Sequence, residues 1–460
     1  MQFSQIEFLI FFAFVFVAVW STRKLAFRNG LLLVASYYFY AYWDYRFCGL
    51  LLLSTFVDFS VAKKIDAAEQ RATRLRWLWV SVSVNLGVLG TFKYFNFFID
   101  SLSPLLESVG WGTQTLSVIL PVGISFYTFQ TLSYTIDVYR GKLQPTEKLL
   151  NFALYVAFFP QLVAGPIVRA RELLPQLASV PCWSTRRCYG GFQLFLIGAV
   201  KKLLMADRLG EMVDVVFAGP ETYAGTTVWL AAFAYAGQIY YDFSGYTDMA
   251  IGAAKMLGYR FPKNFRHPYL ATSFADFWHR WHMTLSRWLR DYLYISLGGN
   301  RGPRWITYRN LMLTMVLGGL WHGAAWTFVL WGAIHGFALC VERALRGRAS
   351  LIIPSVAKWW ITMTVVLFAW VIFRSPDIVT CQSTLYQMIG LPPGIHWHPP
   401  LVLGVLTCMV FEHLAWRTQL RRAMRLRADA WYSPIVTVAL VWSLVLYSPL
   451  GFKPFVYFQF

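Results

Sequence analysis

Charge is what this sequence has least of. Lys, Arg, Asp and Glu make up 14% of its 460 residues, against about 25% in an ordinary soluble domain. That shortage excludes a conventional water-soluble globular protein, a coiled coil and a disordered chain. Acid is scarcer than base, 22 residues against 41, for a formal charge of +19. Cysteine is sparse too: Cys48, Cys182, Cys188, Cys340, Cys381 and Cys408 are scattered, with no CxxC. A disulfide framework and a zinc site of regularly spaced ligands are excluded, although Cys182 and Cys188 share a loop and could pair. There is no GxSxG elbow, no HExxH and no GxxxxGK[ST]; a serine relay has no support and a P-loop is excluded. Internal repeats, heptads and Gly/Ser linkers are also absent.

What is present is apolar: 57% hydrophobic and 18% aromatic residues. A hydrocarbon core about 30 Å thick takes about 20 apolar helical residues. Runs of that kind fall at 6–22, 30–43, 48–62, 77–98, 117–136, 190–206, 223–241, 311–340, 356–374, 400–416 and 434–450. They predict an all-α polytopic membrane protein of roughly ten to twelve membrane helices, some tilted or re-entrant, with an amphipathic piece. The first run is followed by Arg23, Lys24 and Arg28 and has no basic segment before it, so it reads as a retained span and not a cleaved leader. The basic residues sit in short loops, which the positive-inside bias explains. No basic stripe carries interleaved stacking aromatics, so a nucleic-acid partner is not expected. Residues 21–29 and 63–76 should be cytoplasmic, and 99–116, with Asp100 and Glu107, should face outside. The apolar piece 150–165 lies between two basic loops, so it should enter and leave on one side, broken at FFPQLVAGP. Residues 376–399, with four prolines, read as a long loop.

Three segments could carry chemistry. Residues 274–292 predict an amphipathic helix, Phe274, Phe277, Trp278, Trp281, Leu285, Trp288, Leu289 and Tyr292 sharing one face. It is too charged to span lipid and fits an interface or a cavity wall. On that helix His279 points to the polar side, while His282 borders the apolar face, either half-buried with one ring nitrogen fixed or as a structural histidine hydrogen-bonded to backbone. Residues 311–340 carry no formal charge and would make a helix about 45 Å long. Gly318, Gly319 and Gly323 predict an interruption at 318–323 with His322 at its apex. An ionisable group at membrane depth is a functional candidate, and a histidine can take and return a proton there. His335 should point about 140° away and serve packing or a backbone hydrogen bond. In 235–252, DFSG reads as a helix break, with Asp242 and Asp248 satisfying broken ends and pairing with arginines. No third ligand is spaced for a metal. Lys201 and Lys202 should reach for the interface.

FWHRWHMTLSRWLRDYLYISLGGNRG (277–302) and YRNLMLTMVLGGLWHGAAWTFVLWGAIHG (308–336) resemble the membrane-bound O-acyltransferase superfamily, within it the alginate O-acetyltransferase membrane subunits and their polysaccharide-acetylating relatives. LLLVASYYFYAYW (31–43), PVGISFYTFQTLSYTIDVYRG (121–141), FFPQLVAGPIVR (158–169) and YYDFSGYTDMAIG (240–252) resemble it too. The resemblance implies one membrane domain over 1–460, a catalytic core at about 117–345, C-terminal spans at about 356–460, and helices around a funnel or tunnel. It implies that His322 and His282 are the catalytic histidines, and that Trp281, Trp321, Trp326, Asp291 and Asn310 line the tunnel. It implies acetyl transfer from a cytoplasmic thioester such as acetyl-CoA, across a bacterial inner membrane, to an exopolysaccharide such as alginate or cellulose. Periplasmic or membrane-anchored partner proteins would assist, with no metal and no permanently bound cofactor. His279 departs from the family pattern, where a basic residue is expected. The alternatives are D-alanyl transfer to teichoic acid, a non-enzymatic transporter of polymer or acetyl groups, and a lipid acyltransferase.

Overall fold

The computed structural model describes residues 1–110, 114–116, 119–345, 353–417, 429–449 and 453–456. The start of the run expected at 117–136, the tip of the 99–116 loop and the end of the run at 434–450 lie outside the described residues. Among the described residues the chain is helical, with a single isolated bridge between Tyr223 and Ile395. By contact the chain divides into two compact units, Met1–Phe192 with Ala250–Pro262, and Gln193–Met249 with Lys263–Phe460.

The first unit opens with α1 (Ile6–Trp20), α2 (Leu25–Asp44), α3 (Cys48–Ala67), α4 (Arg71–Leu89) and α5 (Phe95–Ser108). A π-helical stretch, Gly90–Tyr94, joins α4 to α5. Asp100 and Glu107, expected in a loop, therefore stand on a helix. Next come α6 (Ile124–Tyr139), α7 (Leu149–Ala157), α8 (Phe159–Leu162) and α9 (Ala170–Leu177). At about 1.5 Å per residue, nine-residue α7 is too short to cross a bilayer. It breaks at Phe158, before Pro160, and residues 151–170 are buried throughout, which suits a re-entrant segment. Cys182 and Cys188 are free thiols.

α10 (Thr185–Val200) and α12 (Gly225–Met256) each contribute to both units, with α11 (Asp207–Ala218) between them. α12 is one unbroken helix of 32 residues, so DFSG is not a break. Its acids have partners within the second unit: Lys201 lies 2.8 Å from Asp248, and Lys202 lies 2.5 Å from Asp242 and 2.8 Å from Asp207. Both departures from expectation have one cause. Lys202, 2% exposed, does not reach the interface because two buried carboxylates hold its ammonium. The partners are lysines and not arginines.

The rest of the second unit is α13 (Phe274–Arg280), α14 (Met283–Trp288), α15 (Arg304–His322), α16 (Trp326–Leu345), α17 (Ser355–Arg374), α18 (Ile378–Gly390), α19 (Pro400–Arg417) and α20 (Ser433–Tyr447). The loop expected over 376–399 contains α18, started by the Asp377 carboxylate accepting from the Thr380 amide at 2.7 Å. The uncharged run 311–340 is not one kinked helix. It spans the turn of a hairpin, in which α15 and α16 pack together through glycine. A Cβ on Gly319 would strike the Phe328 carbonyl, and one on Gly332 the Met315 carbonyl.

Among the described residues, five stretches are long and apolar enough to cross a membrane: Leu25–Ala67, Arg71–Ser108, Thr185–Ala218, Trp326–Leu345 and Ser355–Arg374. Ile6–Trp20, Pro400–Trp416 and Ser433–Tyr447 are shorter apolar helices. Of these stretches, Leu25–Ala67 holds two helices, α2 and α3. α6 and α12 carry buried Gln130, Asp137, Gln238 and Asp242, which their neighbours shield. The protein is an all-α, multi-pass membrane protein.

Candidate active site

The amphipathic helix expected over 274–292 stops at its centre. Ser273 Oγ accepts from the Asp276 amide at 3.1 Å and starts α13. The helix ends at Arg280; Trp281 is extended, and His282 takes φ +40°, ψ +54° before α14 begins. A residue with a Cβ in this left-handed region is strained by about 1–2 kcal/mol. Such conformations persist where surrounding contacts over-determine them. Here the break turns His282 fully inward: it is 0% exposed, whereas a continuous helix would leave it half-buried.

Asn264 holds the bend. Its Oδ1 accepts from the Thr284 amide at 3.1 Å and the Thr284 hydroxyl at 2.9 Å, and lies 3.1 Å from His282 Nδ1. The Met283 amide donates to the Asn264 carbonyl at 2.9 Å. A backbone amide can only donate, so the Asn264 atom facing it is the oxygen. That oxygen requires a proton on His282 Nδ1. His282 Nε2 is then an acceptor; it is buried, with no hydrogen-bond partner among the described residues. Burial also pushes the pKa of this ring down, keeping it neutral.

His322 is the last residue of α15, at the turn of the hairpin, and is 5% exposed. The Trp321 ring stands 6.1 Å from His282 and 5.0 Å from His322, so both imidazoles meet one indole. Trp331 and Phe373 close around His322 at 5.1 and 5.4 Å, and Phe243 faces His282 at 4.6 Å. The hairpin also voids the expected 140° separation of His335, because Trp331 touches both His322 and, at 4.8 Å, His335. His335 is fully buried against Trp278 and Phe277; no hydrogen bond to either ring nitrogen occurs among the described residues.

The remaining candidates divide. Trp281 is 1% exposed and Trp321 4%. Asn310 is buried; it donates to the Gly299 carbonyl at 3.0 Å and accepts from Arg309, a brace for the turn before α15. Asp291 pairs with its neighbour Arg290 at 2.7 Å in a partly exposed position. Trp326 is 57% exposed and opens α16. His279 is exposed, as expected, with Nδ1 2.7 Å from the Ala275 carbonyl. Asn264, Trp331 and Phe373 were not picked out from the sequence. Asn264 lies in NFRHPY, a short polar stretch with no periodicity to single it out.

Two buried imidazoles, one with a ring nitrogen that has no hydrogen-bond partner among the described residues, stand inside an aromatic wall in a multi-pass membrane protein. The chain belongs to the membrane-bound O-acyltransferase family, whose pattern matches residues 146–384. It is an acyltransferase. It is 47% identical over 380 residues to a probable alginate O-acetylase of Pseudomonas aeruginosa, covering 82% of this chain and 73% of that one. It is 38% identical over 389 residues to a peptidoglycan O-acetyltransferase of Helicobacter pylori, covering 78% and 73%. A teichoic acid D-alanyltransferase of Bacillus subtilis is 27% identical over 251 residues, covering 52% and 62%.

Proposed function

We propose that this protein O-acetylates an extracellular polysaccharide, taking the acetyl group from a cytoplasmic thioester such as acetyl-CoA and passing it across the bacterial inner membrane. The relatives with the higher identities act on different polymers, and O-acetyl transfer is what their names share. The D-alanyl reading has support from a lower identity over a shorter length. Alginate is the polymer the P. aeruginosa relative suggests; cellulose offers the same chemistry. A periplasmic or membrane-anchored partner protein fits as the carrier between this enzyme and the sugar.

The observation that carries the reading is the burial of His322 beside His282 in a wall of Trp321, Trp331 and Phe373. In the proposed step His322 takes the proton of the acceptor hydroxyl while that oxygen attacks the thioester carbonyl carbon. The carbon–sulfur bond breaks, the acetyl group stays on oxygen, and the thiolate recovers the proton from the imidazolium. General-base help of this kind contributes about 10²–10⁴-fold. From sequence, His282 was expected to orient the acetyl donor or to hydrogen-bond the carbonyl oxygen as charge develops. With its proton on Nδ1, the neutral ring can only accept at Nε2, so the role we assign it is to orient the acceptor hydroxyl or a donor N–H. The aromatic wall keeps water from the thioester. The test is polymer acetylation in cells carrying His322→Ala, with membrane levels matched by blot. Acetylation should fall by about a hundredfold or more; undiminished acetylation overturns the mechanism.

A further inference from the structure

A groove of about 1070 Å³ runs between α1 and α2 in the first unit. Small-molecule sites measure about 300–1,000 Å³, so this one has room for a large ligand. The two helices are antiparallel, and the Phe11 and Tyr38 rings stack at 5.9 Å. One turn on from that pair, Glu7 and Tyr42 line the groove and stand level at one end of it. Away from that end the lining is apolar and includes Ala18, Gly30 and Val34. A Cβ on Gly30 would meet nothing within 4 Å, so the groove is open there. From Glu7 to Ala18 it runs about 16 Å at about 1.5 Å per residue. Half of a hydrocarbon core is about 15 Å deep, the reach of the acyl chains of one leaflet.

The polar end selects the ligand. Glu7 is exposed, and no hydrogen bond or ion pair reaches its carboxylate among the described residues. Met1 lies on the same groove, but burial lowers the pKa of its amino group to about 6, so that group is mostly neutral at pH 7. An acid beside apolar surface in a membrane calls for a cation. The turn at the other end of the two helices carries Arg23 and Lys24, which marks the cytoplasmic side. Beyond Tyr42, Trp43 and Tyr45 are 42% and 76% exposed, as in the aromatic belt of the opposite interface. Glu7 and Tyr42 therefore stand at headgroup level in the outer leaflet, with the apolar stretch beneath them.

We propose that this groove holds one phospholipid of the outer leaflet whose headgroup carries a primary ammonium, of the phosphatidylethanolamine type. The ammonium donates to the Glu7 carboxylate, the Tyr42 hydroxyl donates to a phosphate oxygen, and an acyl chain lies along Val34 and Gly30 toward Ala18. The full chain, purified in mild detergent, would be titrated with phosphatidylethanolamine and with phosphatidylglycerol and followed by native mass spectrometry. One phosphatidylethanolamine should persist per chain. Glu7→Gln should weaken it about tenfold, the loss of one charge-assisted bond, and leave phosphatidylglycerol unchanged. Gly30→Phe fills the groove and should weaken phosphatidylethanolamine at least tenfold with helicity unchanged. Should that variant fail to fold, the wild-type chain is labelled with a phosphatidylethanolamine bearing a diazirine on its acyl chain, and the label should fall within 10–18 or 26–35. No retained lipid, label elsewhere, or equal retention by folded Gly30→Phe overturns the site. Equal retention of phosphatidylglycerol by the wild type, or undiminished phosphatidylethanolamine binding by Glu7→Gln, overturns the headgroup assignment. A dimer mass without lipid, lost in Gly30→Phe, overturns the lipid in favour of a second copy of the chain. None of these readouts depends on acetyl transfer.

Discussion

Asn264 touches no reacting atom in the proposed mechanism, yet three donors converge on its one side-chain oxygen, which fixes both the bend at 281–282 and the proton position on His282. Removing it leaves the Thr284 amide and the His282 Nδ1–H buried without an acceptor. Each such loss costs about 1–3 kcal/mol. Asn264→Ala should therefore lower the thermal midpoint of the purified protein and cut acetylation by about tenfold or more. Asn264→Asp separates positioning from mere packing. It keeps the acceptor but adds a negative charge beside the imidazole, which raises the pKa of His282. Protonated, His282 loses its open acceptor at Nε2. The acid limb of the pH–activity profile should then move to higher pH relative to wild type. An unmoved profile with full activity would show that His282 and Asn264 serve only the fold.

Among the elements, the α15–α16 hairpin decides where His322 sits. Gly319 and Gly332 let the two helices approach so closely that each carbonyl contact leaves no space for a methyl group. Gly319→Ala should force the hairpin apart. Overpacking of this kind costs about 1–3 kcal/mol, read as a lower melting midpoint, and acetylation should fall with it because His322 closes α15. Gly404→Ala, at a position with nothing near a Cβ, is the control that should change neither. The membrane class, most helices and the glycine-marked interruption at His322 were all legible in the sequence. They follow from local composition and period, which a single run of residues contains. The bend at His282 was not. The apolar spacing from Phe274 to Tyr292 is perfect for one helix, and only the long-range acceptor at Asn264 overrides it. In the 311–340 run the interruption was legible, but not that it is the turn of a hairpin, because a stretch with no charge does not mark where the chain reverses. α18 was obscured by the prolines that follow it, and α12 by a DFSG pattern that usually breaks helices.

At the scale of the whole molecule, the protein carries a large positive charge, and its second unit holds one buried cluster in which the charges are paired. Arginines crowd the chain ends of the helices, while the interior of the second unit holds Lys202 against Asp207 and Asp242, all three at most 4% exposed. The same group anchors the end of the chain, since the Val456 amide donates to Asp242 at 2.8 Å and Phe455 packs on Phe243 and Tyr246 at 5.7 and 4.9 Å. Phe243 is also the ring against His282, so the charge cluster and the candidate active site share a wall. Buried ion pairs add little net stability over apolar residues, but removing one partner strands the other and costs about 3–5 kcal/mol. Lys202→Met should accordingly deplete the protein from membranes at unchanged transcript level, and acetylation should fall in proportion to the protein lost. Adding Asp207→Asn and Asp242→Asn to Lys202→Met removes the stranded charges and keeps their hydrogen-bonding shape, so the protein level should recover. Specific activity separates the remaining cases. A triple variant that is abundant and active confines the cluster to assembly. A triple variant that is abundant yet inactive would show instead that the charges set the field around His282, through the wall they share.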